Sequence, residues 1–299
     1  MATKLGFVLR CCCLSLLLFL GISACSSRDT SVTQSSQDSL NESVNAHTVV
    51  SLDYCADQFV LRFVPQEQIA AVSPDARKYF SFMRDAHPNV PAVRPTAEDV
   101  LSLKPTRVVR SYGGGPGAAA FFERAGIEVV QLGYSATLDD VRKHILDIAS
   151  RLGNAKEGQE VAAEFDRRLA NVKAQAGNPR ALYTTPGGVT TGPGSLVHEM
   201  MTAAGMVNYE QRGGWRDMPL ERLVNDRPEQ LAKATFGAPD THVDPWTRSR
   251  HPLAREIARS IPGAELEGAW TSCGAWFLIE AIEAMAQVGQ RDSQSGDVE

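Results

Sequence analysis

Residues 97–111 read AEDVLSLKPTRVVRS and decide the fold, because they contain the change from a helix to a strand. Aliphatic residues follow Glu98 at helical spacing, and Pro105 ends this short helix because proline cannot continue it. The next residues, 107–111, contain two adjacent valines and predict a strand. A helix that ends directly before such a strand indicates an α/β unit.

The residues around this stretch repeat the same alternation. Apolar runs at 48–52, 69–73 and 127–131 predict further strands. Between the strands lie short helix-like segments, one of which follows the glycine-rich loop 113–117 and is stopped by Gly126. Strands that alternate with short helices indicate βαβ units and a mainly parallel sheet.

The pattern stops and restarts in the middle of the chain. Apolar residues three and four apart predict one helix over 138–152 and a longer one over 154–176. The segment Gly-Asn-Pro at 177–179 ends the second helix, and a strand at 180–184 and a helix at 196–204 then restart the order. We therefore predict an α/β fold of two Rossmann-like lobes with mainly parallel sheets, joined by one long rigid helix.

A weak internal repeat supports the two-lobe division. Residues 95–105 and 219–228 each contain a glutamate, Glu98 and Glu221, with the closing proline seven positions later. Each segment predicts a short helix ended by proline. A glutamate followed by aliphatic residues is common on helices, so this pattern alone does not establish a repeat.

Composition narrows the class of protein. The chain has 299 residues, of which 43% are hydrophobic and 22% charged, as is usual for a soluble globular protein. A net charge of −5 argues against a nucleic-acid binder, which needs basic residues against phosphates. Six cysteines are too few for a disulfide scaffold in a chain of this length.

The N-terminus has the pattern of an export signal. A basic segment precedes an apolar run over 11–24, which is shorter than the roughly 20 residues that cross a bilayer. The run ends in ISAC at 22–25, which resembles the bacterial lipobox, in which the cysteine is acylated. We predict a signal peptide over 1–24, lipidation of Cys25 and a periplasmic, membrane-anchored protein; a plain signal peptide with an incidental cysteine is the alternative.

The rest of the chain divides into five parts. Residues 25–46 are polar and predict a flexible tether. The first lobe is expected over 47–153, the connecting helix over 154–176, the second lobe over 177–290 and a disordered tail over 291–299.

Two cysteines remain in the folded part once the signal peptide and Cys25 are set aside. Cys55 and Cys273 are the candidates for a disulfide, but their pairing cannot be judged from positions so far apart in sequence. Two unpaired cysteines are the simpler expectation.

The sequence resembles the periplasmic substrate-binding proteins of ABC importers for iron complexes and cobalamin. VSLDYCAD at 50–57 is similar to the opening strand and first helix of that family, and residues 97–109 are similar to its helix that ends in Lys-Pro before a strand. The resemblance covers residues 48–288. It implies two α/β lobes joined by a long helix, a ligand in the cleft between them, and no catalysis.

The resemblance also implies the partners. In cobalamin-binding members a glutamate on each lobe meets arginines of the dimeric permease, and Glu98 and Glu221 match those positions. The expected partners are an ABC permease dimer with its ATPase, a small metal chelate, and the membrane through the lipid anchor, with no nucleic acid. The binding protein itself is expected to be a monomer. Ordinary surface ion pairs are the alternative role for both glutamates, and Arg222 is a candidate partner for Glu221.

Aromatic and basic residues are expected at the cleft. Trp215 and Tyr112 resemble cleft aromatics of the family, although ordinary partly buried aromatics are the alternative. Arginines flank them and suit anionic chelates, or else form a solvated rim. The expected ligand-contacting residues are Tyr54, Tyr79, Tyr112, Trp215, Trp270, Arg110 and Arg216.

The ligand class stays open between two kinds of metal complex. An iron complex, either a ferric siderophore or haem, is preferred, and Tyr79 or Tyr112 is a candidate haem ligand. Cobalamin is the alternative, although the sequence around Trp270 lacks the acidic and basic pair that cobalamin binders place nearby.

No protein cofactor is expected, and the six histidines show no spacing for a zinc cage. An exported α/β enzyme and a structural lipoprotein are further alternatives, but no hydrolase or protease motif is present.

Overall fold

The computed structural model describes residues 48–172, 177–235 and 246–295. The predicted signal peptide over 1–24, the predicted lipidation site and the tether over 25–46 lie outside the described residues. None of the described helices is both long and apolar enough to cross a bilayer.

The first lobe contains a four-stranded sheet in which every pairing is parallel. The strands are β1 (Val49–Ser51), β2 (Ile69–Ala71), β3 (Arg107–Arg110) and β4 (Glu128–Gln131). The strand order is β2-β1-β3-β4, so the chain starts in the interior of the sheet and moves outward in both directions. The helices are α1 (Tyr54–Phe63), α2 (Ala97–Ser102), α3 (Ala118–Arg124) and α4 (Leu138–Arg151), with a 3₁₀ helix at Gln66–Gln68.

The connecting helix is α5 (Ala155–Asn171), which spans about 25 Å at 1.5 Å per residue. It is shorter than predicted, because Val172 already has extended backbone and caps the helix. Its apolar residues, Val161 and Phe165, are buried in the core. Its Arg168 contacts two glutamates of the last helix, with nitrogen–oxygen distances of 2.7 and 2.6 Å. These ion pairs tie α5 to the second lobe.

The second lobe repeats the parallel sheet, in the strand order β10-β9-β5-β7. A separate antiparallel pair joins β6 to β8, and the β-branched residues Val189, Thr190 and Thr191 favour a strand at β6. The strands are β5 (Arg180–Thr184), β6 (Val189–Thr191), β7 (Val207–Asn208), β8 (Trp215–Asp217), β9 (Gln230–Ala234) and β10 (Gly263–Leu266). The helices are α6 (Leu196–Ala203), α7 (Leu220–Asn225), α8 (Pro252–Ser260), α9 (Gly268–Thr271) and α10 (Leu278–Ser295), with a 3₁₀ helix at Arg248–Arg250. The prediction of a two-lobe α/β fold with parallel sheets is confirmed.

The short proline-terminated helices form as expected, whereas the last helix extends into the expected tail. The two proline-terminated segments do form short helices, α2 and α7, of six residues each. The last helix continues to Ser295, so the first five residues of the expected tail over 291–299 are helical. Good helix formers in this segment, including Gln290 and Arg291, allow the helix to continue.

The core has a shared part and one part for each lobe. Along β3, Val108 packs into a cluster of the first lobe alone, whereas Val109 packs into a larger cluster that reaches both lobes. Along β5, Leu182 packs into a cluster of the second lobe alone, and Tyr183 packs into the shared cluster. Strand side chains alternate between the two faces of a sheet, so each sheet has one outer face and one face toward the shared core.

Aromatic rings join the lobes within the shared core. Trp276, which follows α9, lies edge-on to Phe59 and Phe63 of α1, at 5.6 and 5.7 Å between ring centroids. Phe82 stacks on Phe277 at 4.7 Å. Such contacts bury large apolar areas and favour defined ring geometry, so they hold the two lobes against each other.

Candidate ligand-binding cavity

A cavity of about 820 Å³ lies between the lobes. First-lobe residues around it include Ser111 and Tyr134, which follow strands β3 and β4. Second-lobe residues include Tyr183 near the end of β5 and the segment 271–274, which begins at the last residue of α9. The cavity therefore lies at the carboxyl ends of the parallel strands, where open α/β sheets bind their ligands.

The first-lobe wall is a cluster of aromatic rings. Tyr54 lies edge-on to Phe80 at 5.2 Å and to Tyr112 at 6.0 Å between ring centroids, and Tyr79 lies edge-on to Phe80 at 5.2 Å. Tyr54, Tyr79 and Phe80 line the cavity. Tyr112 does not line it and instead packs against the ring of Tyr54. Burial raises the pKa of Tyr54, and the nearby Asp53 carboxylate adds to the rise, so this phenol stays protonated.

Asp53 holds this wall together. One carboxylate oxygen accepts from the backbone N–H of Ala56 at 3.0 Å and caps α1. The other accepts from three consecutive N–H groups, those of Ser111, Tyr112 and Gly113, at 2.7, 3.0 and 2.9 Å. The turn fits only because position 113 is glycine, since a Cβ there would lie 2.1 Å from the carbonyl oxygen of residue 52.

The second-lobe wall is formed by Tyr183 and Trp215. Their rings lie edge-on at 6.0 Å between centroids. Trp215 is the first residue of β8 and pairs with Thr191 of β6, so the small antiparallel sheet presents it at the cavity. Its side chain is 58% exposed, which leaves ring surface available for a ligand.

A disulfide joins Cys55 of the first lobe to Cys273 of the second, and both residues line the cavity. The expectation of two unpaired cysteines is therefore wrong. The lobe interface brings the two Cα atoms to 5.6 Å, well within the range for a disulfide. Beside it, the Tyr54 hydroxyl donates to the carbonyl oxygen of Ser272 at 3.1 Å. Two neighbouring residues of one lobe are thus fastened to two neighbouring residues of the other.

The cavity wall is almost free of charge. Among the described residues, no lysine, arginine, aspartate or glutamate lines it. Arg110 is buried and donates to the carbonyl oxygens of Gly113 and Gly115 at 2.8 and 3.1 Å, so it braces the glycine-rich turn. Arg216 donates to the carbonyl oxygen of Gly213 at 2.5 Å. Neither of these predicted ligand-binding arginines is among the residues that line the cavity.

Trp270 also lies outside the cavity. It lines a separate depression of about 490 Å³ together with Arg84 and Glu267. Tyr79 lies between the two spaces and lines both. Of the seven predicted ligand-contacting residues, the structure therefore brings together Tyr54, Tyr79 and Trp215.

Sequence reasoning missed several cavity residues. Tyr134, which is 79% exposed, comes shortly after the predicted strand 127–131, and Tyr183 lies near the end of the predicted strand 180–184. Residues at the carboxyl ends of parallel strands often contact ligands, so these positions could have identified both tyrosines from the sequence. His144 also lines the cavity, with Nδ1 at 2.9 Å from the Ser135 hydroxyl. A Cβ at Gly133 would lie 2.8 Å from its Nε2, so this nitrogen packs against the backbone. No group of three histidine, cysteine or acidic residues able to hold a metal ion occurs in the described part of the chain.

The two glutamates of the sequence repeat are exposed on the short helices α2 and α7. Neither Glu98 nor Glu221 forms an ion pair with another described residue. Arg222 instead turns inward, with its guanidinium 4.0 Å from the Tyr209 ring centroid and 3.7 Å from the buried Glu210 carboxylate. The possible competition between Arg222 and Glu221 is therefore absent.

Comparisons with known proteins agree with this architecture. The family described as periplasmic binding protein matches residues 49–235. Among curated proteins, none matches the chain.

Several solved structures share the fold. The apo form of the periplasmic heme-binding protein RhuT from Roseiflexus sp. RS-1 is similar at a TM-score of 0.67 and 19% identity, over 84% of this chain and 100% of that one. The periplasmic heme-binding protein HutB of Vibrio cholerae is similar at 0.59 and 17% identity, over 84% and 99%. The periplasmic vitamin B12 binding protein BtuF of Vibrio cholerae is similar at 0.58 and 17% identity, over 83% and 98%.

Proposed function

Since the chain belongs to the periplasmic binding protein family, we propose that it captures haem in the cavity between its lobes and delivers it to the permease of an ABC importer. The observation that carries this proposal is the cavity itself, which is walled by aromatic rings from both lobes and lined by no aspartate, glutamate, lysine or arginine among the described residues. Flat aromatic walls suit a planar macrocycle, because such a ligand packs its faces against rings.

The uncharged wall argues against the other iron complexes considered. A ferric siderophore whose charged groups surround the metal would bury them and need cationic donors, because a buried charge without a partner costs several kcal/mol or more. Haem differs because its two carboxylates lie on one edge of the ring, so they can reach solvent or a single donor while the apolar faces pack against the walls. Arginine is the usual donor for such groups, but Arg110 and Arg216 donate to backbone carbonyls instead. We therefore narrow the proposal from iron complexes in general to haem.

Tyr79 is the proposed ligand to the haem iron. It lines the cavity and is 47% exposed, so its hydroxyl is accessible to a ligand. A tyrosine phenolate is an established type of ligand to haem iron. Tyr134 is the second candidate on the same wall, because it is even more exposed.

A hemin titration followed by absorbance tests this function. The wild-type protein is expected to bind one or more equivalents without turnover, and Tyr79→Phe is expected to change the spectrum of the bound form and weaken binding. Tyr209→Phe is the matched control, because the Tyr209 hydroxyl donates to the Asp226 carbonyl away from the cavity. A protein that binds neither hemin nor cyanocobalamin would contradict the proposal.

Cobalamin is a second candidate for the same cavity. The uncharged lining also suits a macrocycle whose side chains are amides rather than acids. The two candidates separate in one titration series, since tighter binding of cyanocobalamin than of hemin would identify the corrinoid as the ligand.

Delivery is proposed to use Glu98 and Glu221, with the protein held at the membrane through Cys25. Both carboxylates are exposed and lie on short helices of different lobes, so they are available for basic pockets of a permease dimer. Reversing both charges, in Glu98→Arg with Glu221→Arg, is expected to abolish uptake while ligand affinity stays unchanged. Normal uptake by this double variant would remove the docking role.

A further inference from the structure

Two tyrosines of the second lobe are almost fully buried, but only one of them has a hydrogen-bond partner for its hydroxyl. Tyr209 is 4% exposed and donates to the carbonyl oxygen of Asp226 at 2.7 Å. Tyr183 is 2% exposed, and within the described part of the chain its hydroxyl has no hydrogen-bond partner, but the hydroxyl oxygen keeps some accessible surface at the cavity that this residue lines. Buried tyrosine hydroxyls normally have a partner, so this difference needs an explanation.

The position of Tyr183 supplies the explanation. It lies near the carboxyl end of β5, an inner strand of the second sheet, and it lines the cavity. Leu182 before it points into the second lobe's own core, so the alternation along the strand turns Tyr183 toward the shared face. Its ring and that of Trp215 lie edge-to-face, and both residues line the cavity, so a partner for the hydroxyl can arrive from the cavity.

We propose that Tyr183 is a specificity-determining residue of the cavity, whose hydroxyl donates a hydrogen bond to an oxygen atom of the bound ligand. This inference rests on the proposed function, because it concerns the same cavity. The oxygen belongs either to a peripheral carboxylate or amide of the macrocycle or to an axial water on its metal. When a ligand displaces water from the cavity, a donor on the wall selects ligands that bring an acceptor, because a ligand without one leaves that donor unpaired.

The electrostatics of the site are consistent with a donor. Burial raises the pKa of Tyr183 to about 12, so the phenol keeps its proton throughout the neutral range. A phenol that keeps its proton donates a hydrogen bond and does not act as a phenolate ligand to iron. This separates the role of Tyr183 from the role proposed for Tyr79.

Tyr183→Phe and Tyr209→Phe form a matched pair for the test, since each removes one buried hydroxyl from the same lobe. Hemin affinity is measured by titration, and the free energy of unfolding of the ligand-free protein is measured in urea. Tyr183→Phe is expected to weaken hemin binding about tenfold, as for the loss of one hydrogen bond to a ligand, and to leave stability unchanged. Tyr209→Phe is expected to do the opposite, because it breaks a hydrogen bond that exists without ligand.

A second probe identifies the acceptor. Iron(III) octaethylporphyrin is a planar iron macrocycle without oxygen on its periphery. If Tyr183→Phe binds hemin more weakly than the wild-type protein but binds iron(III) octaethylporphyrin equally well, the acceptor is a peripheral oxygen. If it binds both probes more weakly, the acceptor is the axial water.

Two results would overturn the inference. Unchanged affinity for hemin in Tyr183→Phe would do so, as would an equal loss of affinity in Tyr209→Phe. Failure of the wild-type protein to bind hemin or cyanocobalamin would overturn the proposed function itself, so the two failures are distinguishable.

Discussion

The disulfide between Cys55 and Cys273 allows the sharpest quantitative test of the structure. The perturbation is the double substitution Cys55→Ala with Cys273→Ala, which removes the bond without leaving thiols that would bind iron. Both residues line the cavity at the junction of the lobes, so the substitution removes the covalent link between them. The variant remains held by the aromatic contacts of Trp276 with α1.

The magnitude follows from the size of the loop that the bond closes. The cysteines are 218 positions apart, and the chain-entropy relation assigns a cross-link of that separation about 5 kcal/mol of stabilisation at 25 °C. Most of this comes from the unfolded chain, which loses conformations when its two ends are tied. A loss of that size is a large part of the stability of an ordinary domain, typically about 5–15 kcal/mol.

The assay is equilibrium unfolding in urea, performed on the wild-type protein and on the alanine pair, each with and without a reductant. The wild-type protein should lose stability on reduction and approach the alanine pair, whereas the alanine pair should not respond to the reductant. A loss below about 1 kcal/mol would refute the entropic reasoning. Alkylation of both cysteines in the native, unreduced protein would refute the bond itself.

Two further predictions concern the aspartates at the start of α1. Asp53→Ala leaves four backbone N–H groups without their acceptor, so it should lower the free energy of unfolding in urea by about 3 kcal/mol, and a loss below about 1 kcal/mol would contradict its bracing role. Asp57 accepts hydrogen bonds from Ser51 and Ser73, yet burial outweighs them and raises its pKa to about 7. Its contribution to stability is therefore fully present below pH 4 and is lost as the pH rises through 7, at up to about 1.4 kcal/mol per pH unit. Urea unfolding from pH 4 to 8 should show this slope in the wild-type protein but not in Asp57→Asn, and parallel curves for the two proteins would count against it.

Local sequence patterns were sufficient for most of the secondary structure. The strand at 107–111 and the helix at 138–152 agree with β3 and α4 to within a residue, because strand and helix periodicity depend only on neighbours in the chain. The end of α5 differs from the prediction, which ran to residue 176, because the helix ends at Asn171.

The candidate cavity was only partly accessible to such reasoning. Tyr54, Tyr79 and Trp215 were found from a family resemblance, but Arg110 was assigned to the ligand although it donates to the glycine-rich turn. A charged residue beside a loop can turn either way, and the choice depends on which carbonyl groups the folded turn presents to it.

The sequence by itself therefore determined the order of strands and helices and the presence of two similar halves, because these features are written in short repeating patterns. Only the tertiary structure decided that Cys55 meets Cys273 and that the hydroxyl of Tyr183 is left to the cavity. Both depend on how the two lobes pack against each other. That packing sums many contacts between distant parts of the chain, and no local pattern encodes them.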